Sequence, residues 1–188
     1  MMKKYLITSR GFYTDTPAVY RSILHEQVRE FMPDFVLYRD KTNPSYYHQA
    51  EHTVEVCAQF EGVKSFLHQD YLLAKKIGAD GIHFTSRQFE LIPLAKELDL
   101  EVVASTHSIE ELQEVQKLGA DYATYSPIFA TPAKGEPKGP QGLKEALKSV
   151  KKLKIFALGG IVTEEHVAML EPLQPYGFAS IRYFQREL

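Results

Sequence analysis

The sequence predicts an α/β protein in which eight short strands alternate with helices and close into a (β/α)8 barrel. Apolar, β-rich runs recur along the chain, and amphipathic patterns separate them, for example Val19, Ile23 and Phe31 at helical spacing. Segments 75–84 and 116–125 also echo each other, since each passes through Gly-Ala-Asp from a helix end to a strand start. Apolar strands joined by helices form a parallel sheet, and eight repeats favour closure. A doubly wound open sheet fits the same periodicity.

The predicted strands lie in a single domain spanning residues 1–188. In order they are Tyr5–Thr8, Phe35–Tyr38, Ser65–Leu67, Gly81–Phe84, Val102–Ser105, Tyr122–Ser126, Ile155–Leu158 and Phe178–Ile181. The last of them ends near Arg182, which leaves no room for a last outer helix before Leu188. We expect a homodimer contact or a rearranged terminus to cover the groove that this leaves in the outer ring.

Capping residues mark the helix boundaries. Thr16-Pro17 and Asn43-Pro44 each pair a capping side chain with proline at the first helical position. Ser108 and Glu111 have the spacing of a capping box. Two glycines suit the left-handed conformation that ends a helix, namely Gly78 and Gly119.

Composition excludes several classes of function. A net charge of -2 argues against a surface that binds nucleic-acid phosphates, which needs an excess of Lys and Arg. No segment approaches the ~20 apolar residues of a membrane helix, so we expect a soluble, cytoplasmic protein with a small-molecule ligand. Cys57 is the only cysteine and can form neither an internal disulfide nor a thiolate metal site.

A long loop with prolines and glycines follows the sixth predicted strand. The segment 122–142 begins as an apolar run and opens at Ser126-Pro127 into a stretch that carries Thr131 and Lys134. Most connections in compact domains have ~4–6 residues, so a longer one with cations suggests a ligand-clamping loop. A disordered surface loop is the alternative.

Polar residues at the carboxyl ends of barrel strands converge on one mouth, where the active sites of such barrels lie. This rule selects Arg39, Lys41, Gln69, Asp70, Ser105, His107, Lys134, Gly159, Gly160 and, after the last strand, Arg182. Inward cations indicate an anionic ligand, exposed glycine amides before a helix suit a phosphate, and histidine moves a proton readily near neutral pH.

Each of these assignments has a structural alternative. Arg39 and Lys41 could form surface ion pairs with Asp40, and Gly159-Gly160 could be only a tight turn. His107 could be a structural hydrogen bonder beside the helix cap, and Arg182 a solvated side chain. His48 and His52 lie on a helix rich in Gln and Glu, so we expect them to be solvated rather than to form a zinc site, whereas His68 ends the third strand and could line the mouth.

A series of short motifs along the chain gives further evidence about its fold and function. They are Tyr5-Leu6-Ile7-Thr8, Arg39-Asp40-Lys41, Ile77-Gly78-Ala79-Asp80-Gly81-Ile82-His83, Ser105-Thr106-His107-Ser108, Gly119-Ala120-Asp121-Tyr122, Ser126-Pro127-Ile128-Phe129 with Thr131 and Lys134, and Ala157-Leu158-Gly159-Gly160-Ile161. In this order and spacing they resemble the thiamine phosphate synthase / TenI family over nearly the whole chain. The resemblance implies a TIM barrel that binds thiazole phosphate.

The family resemblance also implies two reactions. Its synthases join thiazole phosphate to a pyrimidine pyrophosphate with Mg²⁺ and release pyrophosphate, whereas the TenI branch aromatises a thiazole tautomer by proton transfer. The alignment places Arg39, Lys41, Ser105, Thr131 and Lys134 at anion-binding positions, Gly159 and Gly160 at the thiazole-phosphate site, and His107 at the TenI acid/base histidine. His107 and Lys134 are the candidate catalytic residues that this implies.

The chain departs from the synthase pattern at several positions. Leu37 stands in place of a glutamine, and Arg182 aligns with a small serine of the phosphate site. Asp70 retains one magnesium-ligand position, but the second acidic ligand aligns with the segment that ends at Gln88, where no carboxylate stands. Mg²⁺ prefers carboxylate oxygen, so the metal site is weakened.

These features predict a TenI-like tautomerase that acts on thiazole phosphate and needs no cofactor. One alternative is an atypical synthase that coordinates Mg²⁺ through Asp70 and the pyrophosphate itself. Another is a non-catalytic thiazole phosphate binder or a partner of thiazole synthase. We expect neither nucleic acid nor membrane as a partner, and a homodimer is one of the two arrangements that would cover the open groove.

Overall fold

The computed structural model describes residues 1–185 and forms a closed barrel of eight parallel strands. In chain order the strands are β1 (Lys3–Ile7), β2 (Phe35–Tyr38), β3 (Lys64–His68), β4 (Gly81–Phe84), β5 (Glu101–Thr106), β6 (Tyr122–Tyr125), β7 (Lys154–Leu158) and β8 (Gly177–Ser180). Each pairs with the next, and β8 closes on β1 with Tyr5 opposite Ala179. The predicted barrel is confirmed, and the open sheet is excluded.

Helices connect the strands around the outside. Within residues 1–185 they are α1 (Arg10–Tyr13), α2 (Pro17–Phe31), α3 (Tyr46–Cys57), α4 (Tyr71–Ile77), α5 (Ile92–Glu97), α6 (Ile109–Leu118), α7 (Gly139–Ser149) and α8 (Glu164–Leu170). Three 3₁₀ turns supplement them at Phe89–Leu91, Glu171–Leu173 and Arg182–Phe184. None of the helices in this part of the chain has the length and apolar character needed to cross a bilayer.

The capping signals locate most helix ends correctly. Thr16 precedes α2 with Pro17 at its first position, and the Ser108 hydroxyl accepts a hydrogen bond from the Glu111 amide at 3.1 Å. The expected start at Asn43-Pro44 was two residues early, because α3 begins at Tyr46. The Asn43 side chain instead accepts from the Ser45 amide at 2.8 Å and closes a turn before the helix.

Five rings fill the barrel interior towards the amino ends of the strands, and we call them the aromatic layer. They belong to Tyr5, Phe35, Phe66, Tyr122 and Phe156, whose neighbouring centroids lie 5.1–5.9 Å apart. Two glycines make room for them, since a Cβ at Gly81 would overlap the Phe66 ring and one at Gly177 would lie 2.8 Å from Phe156 Cε1. The rings therefore fill interior space that side chains on β4 and β8 would otherwise occupy.

The short segment after β8 covers the outer face of that strand. Phe184 is fully buried, with its ring stacked on Phe178 at 6.0 Å and edge-on to Phe31 at 5.6 Å. Within residues 1–185, only the 3₁₀ turn at Arg182–Phe184 follows β8, as expected for a barrel lacking its last outer helix. The homodimer stays a prediction.

Candidate active site

Two adjoining clefts open at the carboxyl ends of the strands. The first has a volume of about 260 Å³ and is lined by Arg39, Ser105, His107, Thr131, Lys134 and Gly159, with Ile7, Ser126, Pro127, Leu158 and Ile181. The second, of about 240 Å³, shares Thr131, Leu158, Gly159 and Ile181 with the first and adds Gly160 and Arg182. Eight of the predicted site residues therefore meet at one mouth, which mixes cations and hydroxyls with apolar wall.

Arg39 is held at the end of β2 without a neutralising neighbour on its own loop. Its amide donates to the Thr8 hydroxyl at 3.0 Å. Asp40, the residue that could have paired with it, instead binds Arg10 through two hydrogen bonds of 2.9 and 2.5 Å. The surface ion pair considered for Arg39 is thus absent from the contacts of the described chain, and its charge faces the cleft.

Lys41 does not join Arg39 in the cleft lining. The strand alternation that would place the two on one face stops at Tyr38, where β2 ends and the turn held by Arg10 begins. Lys41 is exposed there and lies outside the lining of both clefts.

His107 precedes α6 and is fixed by the acidic residue of the cap. Glu111 Oε2 accepts a hydrogen bond from the His107 amide at 2.6 Å and lies 3.4 Å from its Nδ1. The capping box is therefore shifted, since Glu111 reaches back to His107 rather than to Ser108. Because Nδ1 faces the carboxylate, Nε2 is the ring nitrogen available to a ligand.

Gly159 and Gly160 permit close backbone contact between β7 and the loop that follows β6. They have φ values of 106° and 67°, and a Cβ would lie 2.8 Å from Pro127 Cα at Gly159 and 2.7 Å from the Ala130 carbonyl oxygen at Gly160. The amide of Phe129 donates to the Gly159 carbonyl at 2.9 Å. Packing against this loop thus requires glycine at both positions, and both glycines also line the clefts.

The start of α8 lies further from the glycine pair than the sequence suggested. The helix begins only at Glu164, and the Thr163 hydroxyl already accepts from the His166 amide at 3.4 Å. Arg182 is exposed and joins the lining of the second cleft beside Gly160. Arg182 and the Gly160 backbone, rather than the start of α8, are therefore the groups that an anion in the second cleft would meet.

The loop after β6 is ordered at its base and exposed at its tip. Its two ends are joined by hydrogen bonds from the Lys138 amide to the Pro127 carbonyl and from the Gly139 amide to the Ile128 carbonyl, each 2.9 Å. Lys138 Nζ also lies 5.2 Å from the Tyr125 ring centroid. The tip carries the exposed Lys134, which lines the first cleft, so this loop forms part of the mouth.

The residues around Asp70 do not fit a Mg²⁺ ion held by the protein. One Asp70 oxygen accepts from the Leu73 amide at 2.9 Å as the cap of α4. Gln88, at the second ligand position, accepts from the Thr85 amide and donates to the Gln69 carbonyl. Among residues 1–185, no group of three or more His, Cys, Asp or Glu side chains is arranged to hold a metal.

Two histidines buried inside the barrel, His68 and His83, lie near the predicted site residue Ser105, and His83 was not among the residues that the sequence predicted for the site. His68, His83 and Ser105 lie one inward position above the aromatic layer, and we call them the polar layer. Burial lowers the pKa of His68 to about 3, with further contributions from Arg39 and Lys41. Burial also lowers the pKa of His83 well below its ordinary value, so both rings are neutral at pH 7. Because side chains alternate along β4, the sequence indicates that His83 points into the barrel, as Gly81 does. It does not indicate which residues His83 contacts there.

Known proteins resemble this chain over most of its length. Residues 4–174 match the family described as "Thiamine monophosphate synthase". A thiamine-phosphate synthase of Syntrophomonas wolfei is 29% identical over 186 residues, covering 94% of this chain and 85% of that protein. One of Listeria welshimeri is 34% identical over 113 residues, covering 57% of this chain. That alignment spans 54% of the Listeria protein, so the chain matches about half its length.

Solved structures agree with the sequence matches. "Thiamine phosphate pyrophosphorylase from Pyrococcus furiosus" superposes with a TM-score of 0.79 at 27% identity, covering 96% of this chain and 85% of that one. An N-acetylmannosamine-6-phosphate 2-epimerase from Clostridium perfringens superposes with a TM-score of 0.74 at 13% identity, covering 98% and 87%. The second likeness extends to the fold alone.

Proposed function

The chain belongs to the thiamine monophosphate synthase family, and we propose that it is a TenI-like tautomerase that aromatises a thiazole phosphate by proton transfer. One observation carries the proposal. His107 shares a cleft with Arg39 and Lys134, while the carboxylates that a protein-held Mg²⁺ would need do not converge. This arrangement supports anion binding and acid/base chemistry, and it supplies no set of carboxylates that would hold Mg²⁺ without oxygens from the ligand.

The reaction requires that one proton leave the thiazole ring and another enter it elsewhere, with no net change in atoms. His107 Nε2 accepts the first proton, and the resulting imidazolium is stabilised by Glu111 at 3.4 Å from Nδ1. The imidazolium then returns a proton to the second position. Gly159 and Gly160, with Arg182 beside them, hold the phosphate, and Arg39, Lys134 and the cleft hydroxyls add further contacts to its oxygens, so that the ring lies against the apolar wall.

The test measures aromatisation of the thiazole phosphate tautomer by proton NMR with purified protein and with His107→Ala. General acid/base catalysis contributes typically ~10²–10⁴-fold, so the variant should lose at least about 100-fold in kcat. Its affinity for thiazole phosphate should stay within about threefold, since the cations remain. His48→Ala is the matched control, because His48 is exposed on α3. An unchanged rate in His107→Ala would remove His107 from the mechanism.

A second candidate is thiamine-phosphate synthase activity, which the names of the relatives favour. Incubation with the pyrimidine pyrophosphate, thiazole phosphate and Mg²⁺, followed by detection of thiamine phosphate, tests it. Steady turnover would replace the tautomerase proposal. Binding of thiazole phosphate without turnover in either assay would instead leave a non-catalytic binder.

A further inference from the structure

A chain of hydrogen bonds connects the aromatic layer to the first cleft. The Tyr5 hydroxyl lies 2.9 Å from His83 Nδ1, and His83 Nε2 lies 2.8 Å from Ser105 Oγ. Tyr5 and His83 are buried inside the barrel, whereas Ser105 lines the cleft beside Arg39. The three side chains come from β1, β4 and β5 and meet only because the barrel closes.

The direction of these hydrogen bonds follows from which atoms carry a proton. Burial raises the pKa of Tyr5 well above its ordinary value, so the phenol keeps its single proton. Among the described residues, His83 Nδ1 is the one hydrogen-bond partner of this hydroxyl. A buried donor without a partner is costly, so the Tyr5 hydroxyl donates to Nδ1.

The neutral imidazole of His83 then has only one possible tautomer. A ring nitrogen that accepts a hydrogen bond carries no proton, so the proton of His83 is on Nε2. Nε2–H donates to Ser105 Oγ. This hydrogen bond uses one lone pair of the serine oxygen, so the hydroxyl proton of Ser105 remains free to donate to another group. Arg39, which lines the cleft, acts with burial to keep the imidazole neutral.

We propose that Tyr5 and His83 are positioning residues that fix the Ser105 hydroxyl as a hydrogen-bond donor to an anionic oxygen of the ligand. The proposal rests on the anion-binding part of the proposed function. It also assigns Ser105 a role different from that of a serine activated by histidine. In an activated pair the serine donates to the imidazole, whereas here the imidazole donates to the serine.

The tautomer of His83 is the direct test and requires no ligand. Two-dimensional NMR on protein labelled with ¹⁵N-histidine, assigned by comparison with His83→Gln, distinguishes a protonated from an unprotonated ring nitrogen. We expect Nε2 to be protonated and Nδ1 to be unprotonated at pH 7. The opposite tautomer, or a doubly protonated ring, would overturn the proposal.

Affinity for inorganic pyrophosphate, measured by calorimetry, is the second test. Tyr5→Phe removes the hydroxyl that fixes the tautomer, and we expect about 2- to 12-fold weaker binding, the effect of one net hydrogen bond. In a Ser105→Ala background the same change should have no effect. Tyr20→Phe is the matched control, because its buried hydroxyl bonds Thr53 at 2.6 Å outside the barrel interior.

The outcomes separate this proposal from the proposed function. The positioning role would be refuted if Tyr5→Phe lowered the affinity for pyrophosphate equally with and without the Ser105 hydroxyl. It would also be refuted if Tyr5→Phe did not lower that affinity at all. Failure of the unmodified protein to bind pyrophosphate would overturn the anion site itself. Absence of tautomerase turnover, with the expected tautomer and coupled affinities, would leave the positioning role supported and the proposed reaction refuted.

Discussion

The aromatic layer and the polar layer lie one inward position apart in the same barrel, yet they differ in what they contribute. The lower layer packs five rings against one another and against glycines. The upper layer gives up this apolar contact for His68, for His83 with its two hydrogen bonds, and for a serine that reaches the cleft. The fold is thus stabilised below, while the mouth above has room for polar groups that a well-packed core would exclude.

Removing a ring from the aromatic layer should have the largest effect. Phe156→Ala deletes a fully buried side chain and should lower the free energy of unfolding by ~3–5 kcal/mol. Chemical denaturation measures this, with Phe12→Ala as the control, since Phe12 is 46% exposed and should change stability by less than about 0.5 kcal/mol. A loss below about 1 kcal/mol in Phe156→Ala would show that the layer can repack.

Acidification should act through the polar layer. The pKa of His68 is about 3 in the folded protein, against ~6.5 in an unfolded chain, so the unfolded chain binds more protons between these values. The free energy of unfolding should therefore fall as pH is lowered from about 6.5, by up to ~1.4 kcal/mol per pH unit for this histidine. His83 contributes in the same direction.

Denaturation curves at several pH values between 4 and 7 test this dependence. His68→Gln should flatten the fall in stability relative to the parent protein, whereas His48→Gln should not, because His48 is exposed. Parallel curves for the parent and His68→Gln would mean that His68 is not buried in its neutral form.

A cation at the mouth should affect binding without affecting stability. Lys134→Ala removes a charged donor from the first cleft, and loss of one such hydrogen bond costs ~1.5–3 kcal/mol, or about 10- to 150-fold in affinity for pyrophosphate. Lys144→Ala, an exposed change on α7, is the control for charge alone. Equal effects of the two variants would assign the attraction to net charge.

The smallest expected effect concerns Asp70, which lies at the mouth but stabilises the start of α4. Asp70→Ala removes the cap of α4 and should lower the free energy of unfolding by ~1 kcal/mol. Because no metal group forms there within residues 1–185, Mg²⁺ should bind both proteins equally weakly in a calorimetric titration. A loss of Mg²⁺ affinity confined to the variant would restore Asp70 as a ligand.

The sequence predicts the frame of the site better than its interior. Strand positions are confirmed to within about three residues, because alternation and capping are local signals. Tyr5 and His83 are 78 residues apart, and no local pattern indicates that they meet. The Gly159-Gly160 pair was read as a phosphate turn, whereas its main constraint comes from a loop that begins more than 30 residues earlier at Pro127. Partners brought together by barrel closure leave no such signature in a single sequence.

The hydrogen bonds at the base of the loop after β6 have an evolutionary consequence. Pro127 and Ile128 are tied to Lys138 and Gly139, so the residues between them form a tip whose length and sequence carry little of the barrel's stability. Mutation can therefore change the exposed residues 132–137 with little loss of stability, although a change at Lys134 would also alter the first cleft. New ligand preferences can arise there while the barrel itself is inherited unchanged.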